Sequence, residues 1–209
     1  MSLEDNFLEA VKKLRQTERK RNFDQTIDLI INLKDFDLRR QAFNIFIELP
    51  FKFKNKKIAA FLENDSKLVD VIKKEDFSKF KEKKDIKKLI RIYDAFIANA
   101  KLMPAVATTF GRILGPAGKM PSPQLGIITS EDEETIKRII EKINKTIRLR
   151  VKELSIKAGV AKESMNDEEI VKNLVTTYTK ILETLPKKKD NIKNVKIKLT
   201  MDSPVDVKI

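Results

Sequence analysis

The side chains that carry most enzyme chemistry are missing from this sequence. None of its 209 residues is histidine or cysteine. The chain therefore has no thiolate nucleophile, no imidazole general base and no histidine ligand for a metal. Catalysis is left to carboxylates and lysines, and the sequence contains no acid–base pair or metal-ligating pattern of such residues. We predict a protein that is not an enzyme, with no catalytic residues, no metal site and no cofactor.

One stretch, from Gly111 to Gly126, has the composition of a ligand-binding loop. It contains four of the five glycines and three of the seven prolines of the chain. Since glycine permits positive φ and proline fixes φ, this loop should hold one shape. A Walker-type phosphate loop would need glycine at position 113 and serine or threonine at position 120. Ile113 and Met120 stand there, which excludes a nucleotide site and leaves a rigid connector or a secondary contact through Arg112 and Lys119.

Charge points to a polyanionic partner. The net charge is +13, and the default partner for such an excess is nucleic acid. The alternative is that the proteome as a whole is rich in lysine. However, cations also alternate with apolar residues in predicted strands, whose backbone would hold them at fixed positions. No apolar run approaches ~20 residues, so we predict no membrane span. The acidic, polar N-terminus is unlike a signal peptide, and we predict a cytoplasmic protein.

The spacing of apolar residues predicts which parts of the chain form helices and which form strands. A helical period over residues 3–20 is followed by alternation over 26–34 and 43–49, which predicts a helix and two strands. At the other end of the chain, strands at 147–151, 154–160 and 195–199 flank a helix that ends at Leu185. Neither end alone buries enough surface for a stable domain. We therefore predict one discontinuous α+β domain from residues 1–52 and 150–209.

The middle of the chain follows a different pattern. Apolar strands at 57–62 and 93–98 alternate with helices at 65–71, 73–88 and 131–143 and with one from about residue 102. Such alternation predicts a parallel α/β sheet. We assign 53–149 to an inserted, Rossmann-like α/β domain. The fold class is thus α/β with two domains, the α+β discontinuous domain and this insert.

Four separated segments resemble one family. Leu102-Met103-Pro104, followed from Gly111 by Gly-Arg-Ile-Leu-Gly-Pro-x-Gly-Lys-Met-Pro-x-Pro, is similar to the signature of the L-one family of large-subunit ribosomal proteins in its archaeal form. The other three are Phe23–Asp28, Met165–Ile170 and the C-terminal segment from Thr200. The chain departs from the family at Ala117, usually arginine, and at Asp202, usually glycine and here followed by an extra Ser203.

The resemblance implies what the protein does. It would be a structural constituent of the large ribosomal subunit that binds rRNA at the stalk beside the E site and helps deacylated tRNA leave. It would also repress its own operon by binding a similar structure in the mRNA, and be a monomer when free. The insert holds the larger share of the net charge, but the family places the main rRNA contact on the discontinuous domain. Short polar side chains on a rigid sheet specify better than diffuse charge.

Motif positions supply the predicted RNA contacts. By resemblance these are Phe23, Thr26, Asp28, Lys198, Thr200 and Met201. Strand geometry alone adds Asn32, Lys34 and Lys157. Packing inside the protein remains open for the side chains of Phe23 and Met201.

Two other classes of function stay as alternatives. A carboxylate- or lysine-based enzyme would use the glycine loop as its substrate site. A non-ribosomal RNA-binding regulator or chaperone would bind many RNAs with little preference, whereas a ribosomal protein should strongly prefer one rRNA fragment.

Overall fold

The computed structural model describes residues 2–16, 21–41, 43–80 and 82–208. The chain divides into two compact units. We call Met1–Lys54 with Lys145–Ile209 the split unit, and Asn55–Asn144 the inserted unit. The second division falls before the strand at 146–150, because that strand pairs with residues 44–48 of the split unit. The boundary inferred from sequence, after residue 149, cuts through this strand.

The helices and strands of the described residues follow one another in this order. The α-helices are α1 (Leu3–Gln16), α2 (Leu38–Gln41), α3 (Lys83–Ile92), α4 (Met103–Ala117), α5 (Glu133–Lys145) and α6 (Asp167–Thr184). The strands are β1 (Thr26–Leu33), β2 (Asn44–Glu48), β3 (Ile58–Phe61), β4 (Asp70–Val71), β5 (Ala95–Asn99), β6 (Ile127–Ile128), β7 (Thr146–Arg150), β8 (Ser155–Lys162), β9 (Ile192–Leu199) and β10 (Val205–Val207). Short 3-10 helices span Lys74–Lys79, Ala100–Leu102 and Lys188–Asn191.

A four-stranded antiparallel sheet organises the split unit. Its order is β10-β9-β1-β8, so the N-terminal β1 lies between two strands from the C-terminal part of the chain. Along β1 every second side chain is buried, beginning with Ile27, and the others are partly exposed. The buried side chains share one core with α1 and α6. The alternation read from the sequence thus places one face of this sheet against the helices and leaves the other face open.

The N-termini of α1 and α6 differ in their capping. Ser2 and Asp5 form a reciprocal capping box, in which the Ser2 N–H donates to the Asp5 carboxylate at 2.9 Å and the Asp5 N–H to the Ser2 hydroxyl at 3.1 Å. Asn166 is the N-cap of α6, as its position predicts, but its side chain makes no capping hydrogen bond. The capping box that the sequence suggests at Asn166 is therefore absent.

The inserted unit contains a parallel sheet of order β4-β3-β5-β6. Alternate residues of β3 and β5 enter two separate hydrophobic clusters, one with Phe61 and Phe96 and one with Ala60 and Ile97. Both faces of the sheet are therefore buried, which explains why these strands read as continuous apolar runs. The α/β fold class predicted from the sequence is confirmed.

Three predicted helices differ from the structure. The helix predicted at 65–71 is wrong, because its last two residues form β4, which pairs with the edge of β3, and the Ile72 N–H donates to the Ala60 carbonyl at 2.8 Å. The helix predicted at 73–88 is replaced by the 3-10 helix Lys74–Lys79 and by α3. The helix predicted at 3–20 ends at Gln16 as α1, and residues 17–20 lie outside the described part of the chain.

Candidate nucleic-acid interface

The open face of the split unit's sheet carries polar and cationic side chains in rows. Asp28 on β1 lies opposite Lys198 on β9 and Gly159 on β8. Two residues further along β1, Ile30 lies between Lys196 and Lys157. The register therefore brings together side chains from strands that are more than 120 residues apart in sequence.

The hydroxyl of Thr200 joins the end of β9 to the start of β1. The Thr26 N–H donates to the Thr200 Oγ1 at 3.1 Å, and this hydroxyl donates to the Thr26 carbonyl at 3.3 Å. A threonine hydroxyl has one proton and two lone pairs. With the proton and one lone pair in use, Thr200 can still accept one hydrogen bond, such as one from a ribose 2′-hydroxyl.

Gln25 positions the neighbouring turn, and sequence reasoning missed it. Its side chain is fully buried, and its Oε1 accepts from the Met201 N–H at 3.2 Å. Its backbone also exchanges hydrogen bonds with Glu163, at 2.9 Å and 3.3 Å. Gln25 thus links the residue before β1 to the turn after β9 through its side chain, and to the residue after β8 through its backbone. The available signal was a glutamine two residues before Ile27, in step with the buried residues of β1, since a buried amide needs partners.

Two large apolar side chains stand out beside this turn. Phe23 is 52% exposed and Met201 is 60% exposed. The alternative that they pack inside the protein is therefore wrong in this structure. The residue after Phe23 is anchored, because the Asp24 carboxylate accepts from the Ser164 N–H and hydroxyl, both at 3.1 Å. The backbone is held while both apolar side chains remain available for contact.

The environment of Asp28 differs from that of an ordinary surface carboxylate. Burial raises the pKa of the Asp28 carboxyl above its usual value, and the positive charge of Lys198 opposes this shift. A Cβ at position 159 would lie 3.0 Å from the Thr26 Cγ2 and 3.3 Å from the Asp28 Oδ1. Gly159, which sequence reasoning also missed, therefore makes room for both side chains. Only the register of β1 against β8 reveals this role.

Asp202, where the family usually has glycine, turns its carboxylate inward. Its Oδ2 is buried and has no hydrogen-bond partner among the described residues. Its N–H donates to the Leu199 carbonyl at 3.3 Å and closes the turn. The burial of this oxygen indicates that the side chain is turned toward the protein rather than toward solvent.

We call one set of residues at this end of the sheet the Thr200 corner. It consists of Phe23, Thr26, Asp28, Lys198, Thr200 and Met201. The three residues inferred from strand geometry alone lie elsewhere on the same sheet. Asn32 donates to the Asn194 Oδ1 at 2.6 Å, Lys157 lies 3.5 Å from Glu153, and Lys34 is exposed just beyond β1. These three residues therefore lie along the same sheet as the corner but are not part of it.

The glycine loop, residues 111–126 of the inserted unit, is held in place by contacts within that unit. Gly118 ends α4 with a φ of 71°, and at Gly126, whose φ is 121°, a Cβ would lie 2.9 Å from the Phe96 carbonyl. The Lys119 ammonium donates to the carbonyls of Ile90 and Tyr93, each at 2.6 Å, at the C-terminal end of α3. These contacts support the rigid connector. Arg112, the other predicted secondary contact, is exposed on α4.

The arrangement has the features of an RNA-binding surface. Acceptors beside a cation suit a 2′-hydroxyl next to a phosphate, and exposed apolar side chains suit sugars and base planes. Among the described residues, no group of three or more acidic side chains could hold a metal ion, and no helix is long and apolar enough to cross a membrane. These features are the ones that a nucleic-acid-binding protein presents.

The chain belongs to the Ribosomal protein L1p/L10e family, whose model matches residues 12–203. It is 35% identical to the large ribosomal subunit protein uL1 of Pyrococcus abyssi, over 96% of this chain and 94% of that protein. It is 36% identical to the protein of the same name from Nanoarchaeum equitans, over 96% and 98%. For that of Methanothermobacter thermautotrophicus the identity is 32%, over 98% and 100%.

These findings confirm the family that the sequence motifs resemble. The relatives are ribosomal proteins rather than enzymes, which agrees with a recognition role. A member of this family works on ribosomes in the cytoplasm, as the sequence predicts.

Proposed function

We propose that this protein is a structural constituent of the large ribosomal subunit and binds large-subunit rRNA through the Thr200 corner, at the stalk beside the E site. The observation that carries the proposal is that exposed Phe23 and Met201 flank the hydrogen-bonded pair of Thr26 and Thr200 at one end of an open sheet face. The net charge of +13 supplies the general attraction for RNA. Because the chain belongs to a family of ribosomal proteins, the expected RNA is rRNA.

Each side chain of the corner has a role that its chemistry supports. Thr200 and Asp28 accept hydrogen bonds from ribose 2′-hydroxyls or base amines, and Lys198 neutralises a phosphate. Phe23 and Met201 lie against sugars and base planes. Asn32, Lys34 and Lys157 extend the contact along the sheet. The resulting surface reads the shape of a structured RNA rather than a duplex sequence, because the shallow A-form minor groove exposes 2′-hydroxyls while side chains cannot read the deep, narrow major groove.

Direct titration tests this proposal. Transcripts tiled along large-subunit rRNA should include one fragment that the protein binds far more tightly than the others, and the protein should co-sediment with large subunits. The logarithm of affinity should fall with the logarithm of salt concentration, by about 0.7–0.9 for each phosphate neutralised. Equal binding to every transcript would instead favour an RNA chaperone. An affinity that does not change with salt would exclude an electrostatic contribution to binding.

Two finer roles belong to the proposal and rest on the family resemblance. On the ribosome the protein helps deacylated tRNA leave the E site, with Arg112 and Lys119 as secondary RNA or tRNA contacts. Off the ribosome it is a monomer that represses its own operon by binding the mRNA. Ribosomes reconstituted without the protein should release E-site tRNA more slowly. Its own leader mRNA should compete with the rRNA fragment for binding, and failure to compete would remove the repressor role.

A further inference from the structure

We propose that the outward face of the β2–β7 ribbon is a second RNA contact, which holds the phosphate backbone of the same rRNA away from the Thr200 corner. We call this surface the ribbon face. It consists of Asn44, Phe46, Arg148, Arg150 and Lys152. The inference rests on the proposed rRNA binding and adds a site that neither the motifs nor the predicted contacts include.

From Ile147 onward, buried and exposed residues alternate and put three cations on one side. Ile147, Leu149 and Val151 are buried in the core of the split unit, and the residues that follow each of them are exposed. The Val151 N–H donates to the Phe43 carbonyl at 3.1 Å, so the extended pairing continues one step beyond the strand. Alternate residues of a strand are about 6.6–6.8 Å apart, a spacing comparable with that of successive phosphates in an RNA strand.

The first cation of the row is held in place before any ligand arrives. The Arg148 guanidinium carbon lies 5.5 Å from the centroid of the Phe46 ring, and its Nε donates to the Asn44 Oδ1 at 3.0 Å. Stacking and a hydrogen bond restrict the rotamers of this side chain. A restricted guanidinium loses less entropy when it binds a phosphate than a free one does.

The other two cations form no ion pair in the described part of the chain. Among the described residues, neither Arg150 nor Lys152 lies within ion-pair distance of a carboxylate. Arg150 faces the neutral Asn44 across the ribbon. Glu48 is the one acidic residue of β2, and it pairs with Thr146 at the far end from Arg150. The ribbon face therefore presents uncompensated positive charge on a rigid strand, which favours a polyanion.

The ribbon face lies far from the Thr200 corner. It joins the sheet near the end of β1, where the Leu33 N–H donates to the Leu154 carbonyl at 2.7 Å. The corner lies at the start of β1, at the other end of this eight-residue strand, or roughly 23 Å away at about 3.3 Å per residue. A structured RNA that reaches both surfaces must span this length. Because phosphate contacts position rather than specify, the ribbon face would fix how the RNA lies while the corner recognises it.

The test compares charge removal at the ribbon with charge removal elsewhere. The variant is Arg150→Gln with Lys152→Gln, which removes both charges and keeps polar side chains. The control is Lys12→Gln with Lys208→Gln, two exposed lysines away from the ribbon. The probe is the shortest large-subunit rRNA fragment that binds the unmodified protein with full affinity. The salt slope of the ribbon variant should shrink by about 1.4–1.8, that of two phosphates, and the control should keep its slope.

Hydroxyl-radical footprinting on the same fragment gives an independent readout. The unmodified protein should protect two separated backbone segments, and the ribbon variant should lose one of them while Thr200→Ala weakens the other. An unchanged slope together with both protected segments overturns the ribbon contact, and an acidic protein partner then remains for this surface. If the unmodified protein prefers no rRNA fragment, the proposed function fails as well.

Discussion

Thr200 holds Thr26 by both of its backbone groups, at 3.1 Å and 3.3 Å, although the two residues are 174 positions apart. This pair fastens the C-terminal part of the split unit to its N-terminal strand. The same hydroxyl keeps one lone pair for a ligand. Under the proposed function, this one oxygen atom contributes both to the stability of the sheet and to RNA recognition, and a change at Thr200 should affect both.

Thr200→Ala should lower the free energy of unfolding by about 0.5–1.5 kcal/mol, the usual net contribution of a hydrogen bond, and weaken rRNA binding by a similar amount. Thr200→Ser, which keeps the hydroxyl, should retain most of both. Urea denaturation and titration with the rRNA fragment measure the two effects. An alanine variant that matches the parent in both measurements would exclude this role.

Phe23→Ala and Met201→Ala should separate binding from stability. Both side chains are exposed, so each free energy of unfolding should stay within about 0.5 kcal/mol of the parent. If Phe23 stacks on a base, its loss should cost about 1–3 kcal/mol of binding, and Met201→Ala should also weaken binding. Leu154→Ala is the matched control, since Leu154 is 49% exposed and lies near the other end of β1. Equal affinities for all three variants would contradict apolar contact at the corner.

Lys119→Met should act on stability. The substitution keeps a long, unbranched side chain but removes the ammonium that binds the carbonyls of Ile90 and Tyr93. We expect a loss of about 1–3 kcal/mol in unfolding free energy, because hydrogen bonds from a charged donor are stronger than neutral ones. Binding of the isolated rRNA fragment should change less than in Thr200→Ala. The reverse order of effects would move the RNA site to the inserted unit.

Asp28→Asn should change how stability depends on pH. The folded protein raises the pKa of this carboxyl above 3.8, chiefly through burial. The folded state therefore binds more protons, and stability should fall as pH rises from 3.8 through the raised pKa. The asparagine variant lacks this step, so its stability relative to the parent should increase across the same window. Parallel pH profiles from urea denaturation would contradict a raised pKa of the Asp28 carboxyl.

Removal of residues 55–144, with 54 joined to 145 by a short linker, should leave a folded split unit. The division keeps β7 with its partner β2 and leaves the four-stranded sheet intact. Circular dichroism and a cooperative melt test the fold, and titration tests binding of the rRNA fragment. A shortened chain that folds but does not bind would locate the site in the inserted unit.

Local pattern alone determined much of this protein. Alternation in β1 and β9 predicted which side chains face the core, because strand side chains point to opposite faces. Apolar runs alternating with helical segments predicted the parallel sheet of the inserted unit. The absence of histidine and cysteine, the net charge and the motif at 111–123 indicated a non-catalytic protein of the family that the comparisons confirm.

Only the tertiary structure decided which residues meet. The β4 edge at 70–71 formed against local helical tendency, because it pairs with the backbone of β3. Gln25 and Gly159 acquired their roles from the register of strands distant in sequence, and Lys119 found its carbonyl partners on another helix. Hydrogen bonds and close contacts depend on position in space within tenths of an ångström. Sequence spacing sets the face of an element, but not the partner that packing brings to it.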